Sequence, residues 1–133
     1  MDAPVWARGS LACDGTRTVS LDVNGQDIAC LVPDHESEPD GVSTFGLLAA
    51  SLSACTAMSV RTFLERWQVT VQDVEVDVGF SAGRPPTLHR RVGVRAALDA
   101  DLREQLAGVV DSTPVTVLLR DGITIVTRLD VHP

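Results

Sequence analysis

Residues 43–67 (STFGLLAASLSACTAMSVRTFLERW) constrain the fold more than any other part of the chain. They contain no proline, and Ser43 or Thr44 can cap a helix start by accepting a hydrogen bond from a free backbone N–H. A helix over residues 44–67 is roughly 36 Å long, more than a small domain usually offers to one helix. Its first half is apolar or small on every side, which is typical of a helix that is buried all round. We therefore expect this helix, with Cys55 in its middle, to form the core of the molecule or of a dimer.

Composition and charge exclude several classes of protein. The chain has 133 residues, of which 44% are hydrophobic, and this predicts one domain over residues 1–133 or one half of an intertwined dimer. A net charge of −7 argues against binding to nucleic acid or to anionic membranes, because both select basic surfaces. We expect the one basic pair, Arg90 and Arg91, at a solvated strand edge. The long helix is not expected to span a membrane, because its second half carries the charged residues Arg61, Glu65 and Arg66.

The cysteines indicate a reducing compartment. Cys13, Cys30 and Cys55 are far apart, form no CxxC pair and leave at least one free thiol because their number is odd. Free thiols suit the cytosol, so the sequence predicts a cytoplasmic protein. Cys55 stands out by its position, although a buried cysteine is often only a small hydrophobic residue.

No metal or cofactor site is predicted. The acidic loop over residues 33–41 holds His35 beside Asp34, Glu36 and Glu38, but this spacing matches no known set of metal ligands. The chain contains no phosphate-binding loop, no GxGxxG, no HExxH and no GxSxG. We therefore expect the loop to be solvated.

Alternating apolar residues and turn signals predict strands on both sides of the long helix. Asn24 and Gly25 form the strongest hairpin signal, and Asp99 is expected to cap a second helix. A phase slip at Gln72 and Asp73 suggests a bulge or bend in the fourth strand. The predicted strands cover residues 5–13, 17–23, 27–32, 69–81, 87–98 and 123–131, the second helix covers 100–111, and a further helical turn covers 115–119. The order βββ-α-ββ-α-β predicts an α+β domain.

Residues 47–58 (LLAASLSACTAM) and 111–115 (DSTPV), taken with this element order, resemble the OsmC/Ohr family of osmotically inducible and organic-hydroperoxide-resistance proteins. The resemblance implies an intertwined homodimer whose long central helices pack together, with the active sites at the subunit interface. It also implies a bacterial protein of the oxidative stress response.

The implied activity is thiol-dependent reduction of organic hydroperoxides, with Cys55 as the catalytic residue. In the family, a first cysteine attacks the peroxide and becomes a sulfenic acid, a second cysteine condenses with it, and an external dithiol resets the enzyme. The implied partners are therefore a second copy of the chain, an organic hydroperoxide or small hydrophobic ligand, and a thiol reductant.

The sequence departs from the family pattern at three points. Thr113 stands where the second cysteine is expected, and Gly46 replaces an acidic residue that would orient an activating arginine. That arginine is expected from the N-terminal region, where Arg8 and Arg17 are the candidates.

Three readings of the chain stay open. The first is a thiol peroxidase that works with Cys55 alone or with Cys13 or Cys30 as the resolving thiol. The second is a non-catalytic family member, a dimer that binds a small molecule or is structural. The third is an unrelated α+β dimer whose helix converged on small residues.

Overall fold

The computed structural model describes residues 5–32 and 41–133 and has the predicted α+β architecture. In the described residues, the elements in chain order are β1 (Ala7–Ser10), β2 (Thr18–Val23), β3 (Gln26–Leu31), α1 (Thr44–Arg66), β4 (Asp73–Ser81), β5 (Thr87–Arg95), α2 (Ala100–Val110) and α3 (Pro114–Asp121). The chain divides into two compact units, Met1–Ala50 and Ser51–Pro133, and α1 crosses the division.

The first unit contains the predicted three-stranded antiparallel meander, in the order β1-β2-β3. Val23 pairs with Gln26 across the tight turn between β2 and β3. Asn24 and Gly25 adopt φ angles of 47° and 89°, the left-handed conformation that the turn requires and that these residue types tolerate. The Gly25 N–H also donates to Oδ1 of Asp22 at 2.7 Å. The hairpin prediction is therefore confirmed.

Ser43 is the residue that caps the start of α1. Its Oγ accepts a hydrogen bond from the backbone N–H of Gly46 at 2.9 Å, which satisfies one of the unpaired donors of the first turn. A Cβ atom on residue 46 would lie 2.9 Å from the same Oγ. The glycine therefore leaves room for the capping hydroxyl.

The C-terminal turn of α1 extends beyond the helix itself, so the fourth strand begins later in the sequence than predicted. Gln68 adopts a φ of 55°, and the N–H of Val69 donates to the carbonyl oxygen of Leu64 at 3.0 Å. A left-handed residue followed by a hydrogen bond back to the carbonyl five residues earlier is a common way to satisfy the last carbonyl groups of a helix. The strand predicted from residue 69 consequently begins only at Asp73, so the phase slip marks the strand's start and no bulge is needed.

One face of α1 is buried within the chain. Leu52, Thr56, Val60 and Leu64, spaced four residues apart, are the buried positions. Phe45, in the first half of the helix, is 55% exposed, so the predicted all-round burial of that half is not achieved within a single chain, whose own elements cover only one side of the helix. By length and mean hydropathy, α1 is also the one helix among the described residues that could span a membrane.

The core of the second unit lies between α1, the β4–β5 sheet and α2. Val60, Leu64 and Leu106 form its centre, and partly buried aliphatic residues of β4 and β5 pack around them. The two strands pair antiparallel over their full length, from Asp73 opposite Arg95 to Ser81 opposite Thr87. As expected from the few aromatic residues, this core is largely aliphatic.

Both short helices begin with a side-chain cap. The backbone N–H of Leu102 donates to Oδ1 of Asp99 at 2.8 Å, which confirms the predicted cap of α2. Thr113 caps α3, and Pro114 occupies its first turn, where the missing N–H of proline costs nothing. The helical turn predicted over residues 115–119 is thus part of a longer helix.

The final strand predicted over residues 123–131 is not formed within the chain. Residues 122–133 carry no regular secondary structure, and apolar side chains there are 70% to 91% exposed. A strand needs a neighbouring strand for its backbone N–H and C=O groups, and the single chain supplies none at this position. The exposed apolar residues are Ile123, Ile125, Val126, Leu129 and Val131.

Candidate functional site

Cys55 lies in the middle of α1, and its thiol is free and partly buried. Within the part of the chain that the structure describes, its side chain takes part in no hydrogen bond. The next residue, Thr56, is fully buried at 0% exposure, whereas the side chain of Cys55 keeps some access to solvent. Consecutive residues on a helix point in directions about 100° apart. The helix therefore buries Thr56 and leaves the thiol at the border of the core.

Arg90 reaches Thr56 from the adjacent strand. Its Nη1 donates to Oγ1 of Thr56 at 3.0 Å and to Oγ1 of Thr116 at 2.8 Å. The side chain of Arg90 is only 13% exposed, whereas that of the next residue, Arg91, is 67% exposed and pairs with Asp77. The expectation of a solvated strand edge is therefore right for Arg91 and wrong for Arg90, because alternation along β5 turns the two side chains to opposite faces.

The start of α3 lies next to Arg90 and contributes Thr113 and Thr116. Their Oγ1 atoms are 2.6 Å apart, and the N–H of Thr116 donates to Oγ1 of Thr113 at 3.4 Å. Thr113 is buried at 2% exposure. We call Thr56, Arg90, Thr113 and Thr116 the arginine–threonine cluster. It joins α1, β5 and α3 through hydrogen bonds between side chains.

The charge of Arg90 is only weakly compensated. Nη2 of Arg90 lies 3.8 Å from Oδ1 of Asp111, which is too long for a hydrogen bond, and the Asp111 side chain is mostly exposed. Arg120 also contacts Asp111, since its Nη2 donates to the backbone carbonyl of that residue at 2.8 Å. Both guanidinium groups thus lie at the C-terminal end of α2, where the helix dipole favours positive charge.

A mainly apolar cavity of about 470 Å³ adjoins the site. Met58 and Ser59 of α1 line it together with Pro114 of α3. Residues three and four positions after Cys55 share its helix face, and Pro114 directly follows Thr113. The cavity is therefore bordered by the helix face that carries Cys55 and by the residue beside the buried end of the cluster.

The other residues singled out from the sequence are distributed as follows. Cys30 is buried in β3, whereas Cys13, Arg8 and Arg17 are exposed in the first unit. The acidic loop with His35 falls outside the described residues. No group of His, Cys, Asp or Glu side chains in the described ranges is arranged to hold a metal ion.

Comparison with known proteins identifies the family. The sequence profile of OsmC-like proteins matches residues 36–128. The chain belongs to the OsmC-like family. No curated protein matches the sequence significantly. The predicted family and the OsmC-like α+β fold are therefore confirmed.

Solved structures share the OsmC-like fold at low sequence identity. An OsmC-like protein from Mycoplasma pneumoniae is similar with a TM-score of 0.72 and 14% identity, over 90% of this chain and 89% of the other. OhrB of Bacillus subtilis, an organic hydroperoxide resistance protein, has a TM-score of 0.59 and 14% identity, over 89% and 91% of the two chains. The organic hydroperoxide resistance protein OsmC of Legionella pneumophila has a TM-score of 0.58 and 17% identity, over 90% and 91%.

Sequence reasoning singled out Cys55 and Thr113 as candidates. It did not anticipate that Thr56, Arg90 and Thr116 are joined by hydrogen bonds beside them. One signal for Arg90 was present, since it occupies the inward phase of β5 that Leu88 shares with the strand's other apolar residues. A charged residue in an apolar phase points to a buried polar partner.

Proposed function

We propose that this OsmC-like protein is a thiol peroxidase that reduces organic hydroperoxides at Cys55. The observation that carries the proposal is the position of this thiol. It is free, partly accessible and adjacent in sequence to Thr56, which is tied to the guanidinium of Arg90. A fully buried thiol could not contact a peroxide. A fully exposed thiol would lack the neighbouring side chains that make a cysteine reactive.

The reaction forms one S–O bond and breaks one O–O bond. The Cys55 thiolate attacks the distal oxygen of the hydroperoxide, and the alkoxide leaves and takes a proton to become an alcohol. Cysteine is oxidised by two electrons to the sulfenic acid, and the peroxide is reduced by two.

An external thiol is the proposed reductant. The hydroxyl of Thr113 cannot form a disulfide, and Cys30 is buried at 2% exposure. An incoming thiol would instead condense with the sulfenic acid, releasing water and forming a mixed disulfide. A second thiol would then release Cys55 by thiol–disulfide exchange. Cys13, which is exposed, is the remaining candidate for a resolving thiol within the protein.

We also propose that the working unit is a cytoplasmic homodimer. The support is the apolar surface that a single chain leaves uncovered, namely Met58 on α1 and the alternating apolar residues of segment 123–131. An accumulation of exposed large apolar side chains is typical of protein–protein interfaces. Sedimentation of the wild type should give the dimer mass, and Ile125→Asp should shift it toward the monomer. A monomeric wild type would contradict this part of the proposal.

The peroxidase proposal is tested with purified protein, cumene hydroperoxide and a dithiol. We expect peroxide consumption, and a dimedone adduct on Cys55 when the dithiol is omitted. Cys55→Ser should abolish both, whereas Cys13→Ser, which removes only the candidate resolving thiol, should keep peroxide consumption with the dithiol and the adduct on Cys55 without it. No consumption and no adduct on Cys55 in the wild type would refute the proposal.

The alternative is a non-catalytic OsmC-like dimer that binds a small hydrophobic molecule. Thr113 favours it, because the residue cannot complete a two-cysteine cycle, and the apolar cavity beside Met58 and Pro114 offers a binding space. Under this alternative, Cys55→Ser leaves ligand binding unchanged and the wild type consumes no peroxide.

A further inference from the structure

Another cavity lies between β5 and α2, within the second unit of the chain. Its volume is about 540 Å³, which is in the range of sites that bind small molecules. Val92 and Val94 of β5 line one wall, and Leu106 and Val110 of α2 line the other. Aliphatic walls of this kind favour a hydrocarbon ligand, because its burial removes apolar surface from water.

The lining also carries a cation without a partner, Arg103. Within the described residues, its guanidinium forms no ion pair and no hydrogen bond. Asp99, one helical turn earlier, uses its carboxylate to cap α2 by accepting from the N–H of Leu102. Arg103 lies in the N-terminal half of α2, where the helix dipole does not stabilise a positive charge. Its N–H donors are therefore available to an anionic ligand.

The carboxylate on the lining, that of Asp111, does not oppose an anion at Arg103. Asp111 lies eight residues after Arg103, which is about 12 Å along α2 and beyond the distance over which salt screens exposed charges. Nη2 of Arg90 is also 3.8 Å from its Oδ1, and the guanidinium of Arg120 contacts its backbone carbonyl. The cavity thus offers an anion position at Arg103, followed by an aliphatic wall.

We propose that this cavity binds an amphiphilic carboxylate, such as a medium-chain fatty acid. Its carboxylate accepts two parallel hydrogen bonds from the guanidinium of Arg103, the geometry that this pair of groups favours. Its alkyl chain lies between β5 and α2, along the roughly 12 Å of helix face that follows Arg103. In the described part of the chain, Cys55 is not among the lining residues, so the site is independent of the proposed peroxidase reaction.

Isothermal titration calorimetry of the full-length protein tests the site with two probes, octanoate and octanol, which share the alkyl chain and differ in charge. Arg103→Gln removes the guanidinium, and Ala107→Trp places a large side chain on the cavity wall. Arg66→Gln is the matched control. Arg66 is likewise exposed and without a partner among the described residues, but it lines the cavity beside Met58 and Pro114.

We expect octanoate to bind the wild type about tenfold more tightly than octanol, as one hydrogen bond from a charged donor predicts. Arg103→Gln should weaken octanoate by about the same factor and leave octanol unchanged. Ala107→Trp should weaken both probes, because it fills the space for the alkyl chain. Arg66→Gln should bind both as the wild type does.

Three results would overturn the proposal. The first is a wild type that does not bind octanoate, and the second is equal affinity for octanoate and octanol. The third is a loss of octanoate binding in Arg66→Gln rather than in Arg103→Gln, since the ligand would then occupy the other cavity. Circular dichroism checks the fold of each variant. If Ala107→Trp does not fold, Arg103→Gln decides the question, because its side chain is exposed.

The measurement also separates this site from the proposed function. Cys55→Ser should bind octanoate with wild-type affinity, whether or not the wild type consumes peroxide. A weakened affinity in that variant would contradict a site that is independent of the thiol.

Discussion

Replacing Arg90 with methionine removes the charged centre of the arginine–threonine cluster. The change deletes two hydrogen bonds from a charged donor, to Thr56 at 3.0 Å and to Thr116 at 2.8 Å. Such bonds contribute about 1.5–3 kcal/mol each. Removing a guanidinium that is only 13% exposed also relieves its desolvation cost, which offsets part of the loss. The 3.8 Å pair with the exposed Asp111 adds little. We expect a net destabilisation of about 2–3 kcal/mol.

The adjacent arginine provides a matched control. Arg91 makes a shorter ion pair than Arg90, with Nη2 2.6 Å from Oδ2 of Asp77, but both side chains are about two-thirds exposed or more. Exposed ion pairs of this kind contribute about 0–1 kcal/mol, because water screens them and holding two long side chains in place costs entropy. Arg91→Met should therefore cost less than about 1 kcal/mol, despite its better geometry.

Urea unfolding followed by circular dichroism measures both variants. All proteins are compared at one protomer concentration, because the stability of the proposed dimer would depend on it. Equal slopes with a shifted midpoint would show that stability alone has changed. The reasoning is refuted if the two methionine variants lose the same stability, or if Arg91→Met loses more. A coupling energy between Arg90→Met and Thr116→Val near zero would also contradict it.

Three further changes test separate parts of the structure. Leu64→Ala, at a fully buried position of the core, should cost about 2–5 kcal/mol in urea unfolding, and a loss below about 1 kcal/mol would contradict the assigned core. Gly25→Ala should cost about 1 kcal/mol or more, since φ is 89° there, and an unchanged midpoint would refute the assigned turn. Thr113→Cys should form a disulfide with Cys55 after one equivalent of peroxide, seen as the loss of two hydrogens by mass spectrometry, at the expense of about 1 kcal/mol for the weakened α3 cap. A stable sulfenic acid in that variant would show that positions 55 and 113 do not meet.

Local patterns predicted most of the regular structure. The hairpin at Asn24 and Gly25, the Asp99 cap and the long helix through Cys55 were predicted from the sequence because each depends on a few neighbouring residues. The fourth strand was placed too early, because the left-handed Gln68 and the Val69–Leu64 hydrogen bond that end α1 leave little trace in hydrophobic periodicity.

Elements that depend on distant partners were predicted less well. The apolar alternation of residues 123–131 fits a strand, but a strand exists only where another edge accepts its hydrogen bonds, and the single chain has none there. The all-round apolar character of the first half of α1 likewise indicates a buried helix. Within one chain, only the face with Leu52 and Thr56 is buried.

By itself, the sequence determined the α+β class, the order of the elements from β1 to α2, the family and the thiol at the centre of the long helix. These follow from periodicity, turn chemistry and one recognisable helix motif, all of which are local along the chain. Only the tertiary structure decided that Arg90 turns inward to Thr56 and that it also donates to Thr116, whose hydroxyl meets that of Thr113. The physical reason is that hydrogen bonds between side chains 26 and 34 residues apart depend on how strands and helices pack, which no local pattern specifies.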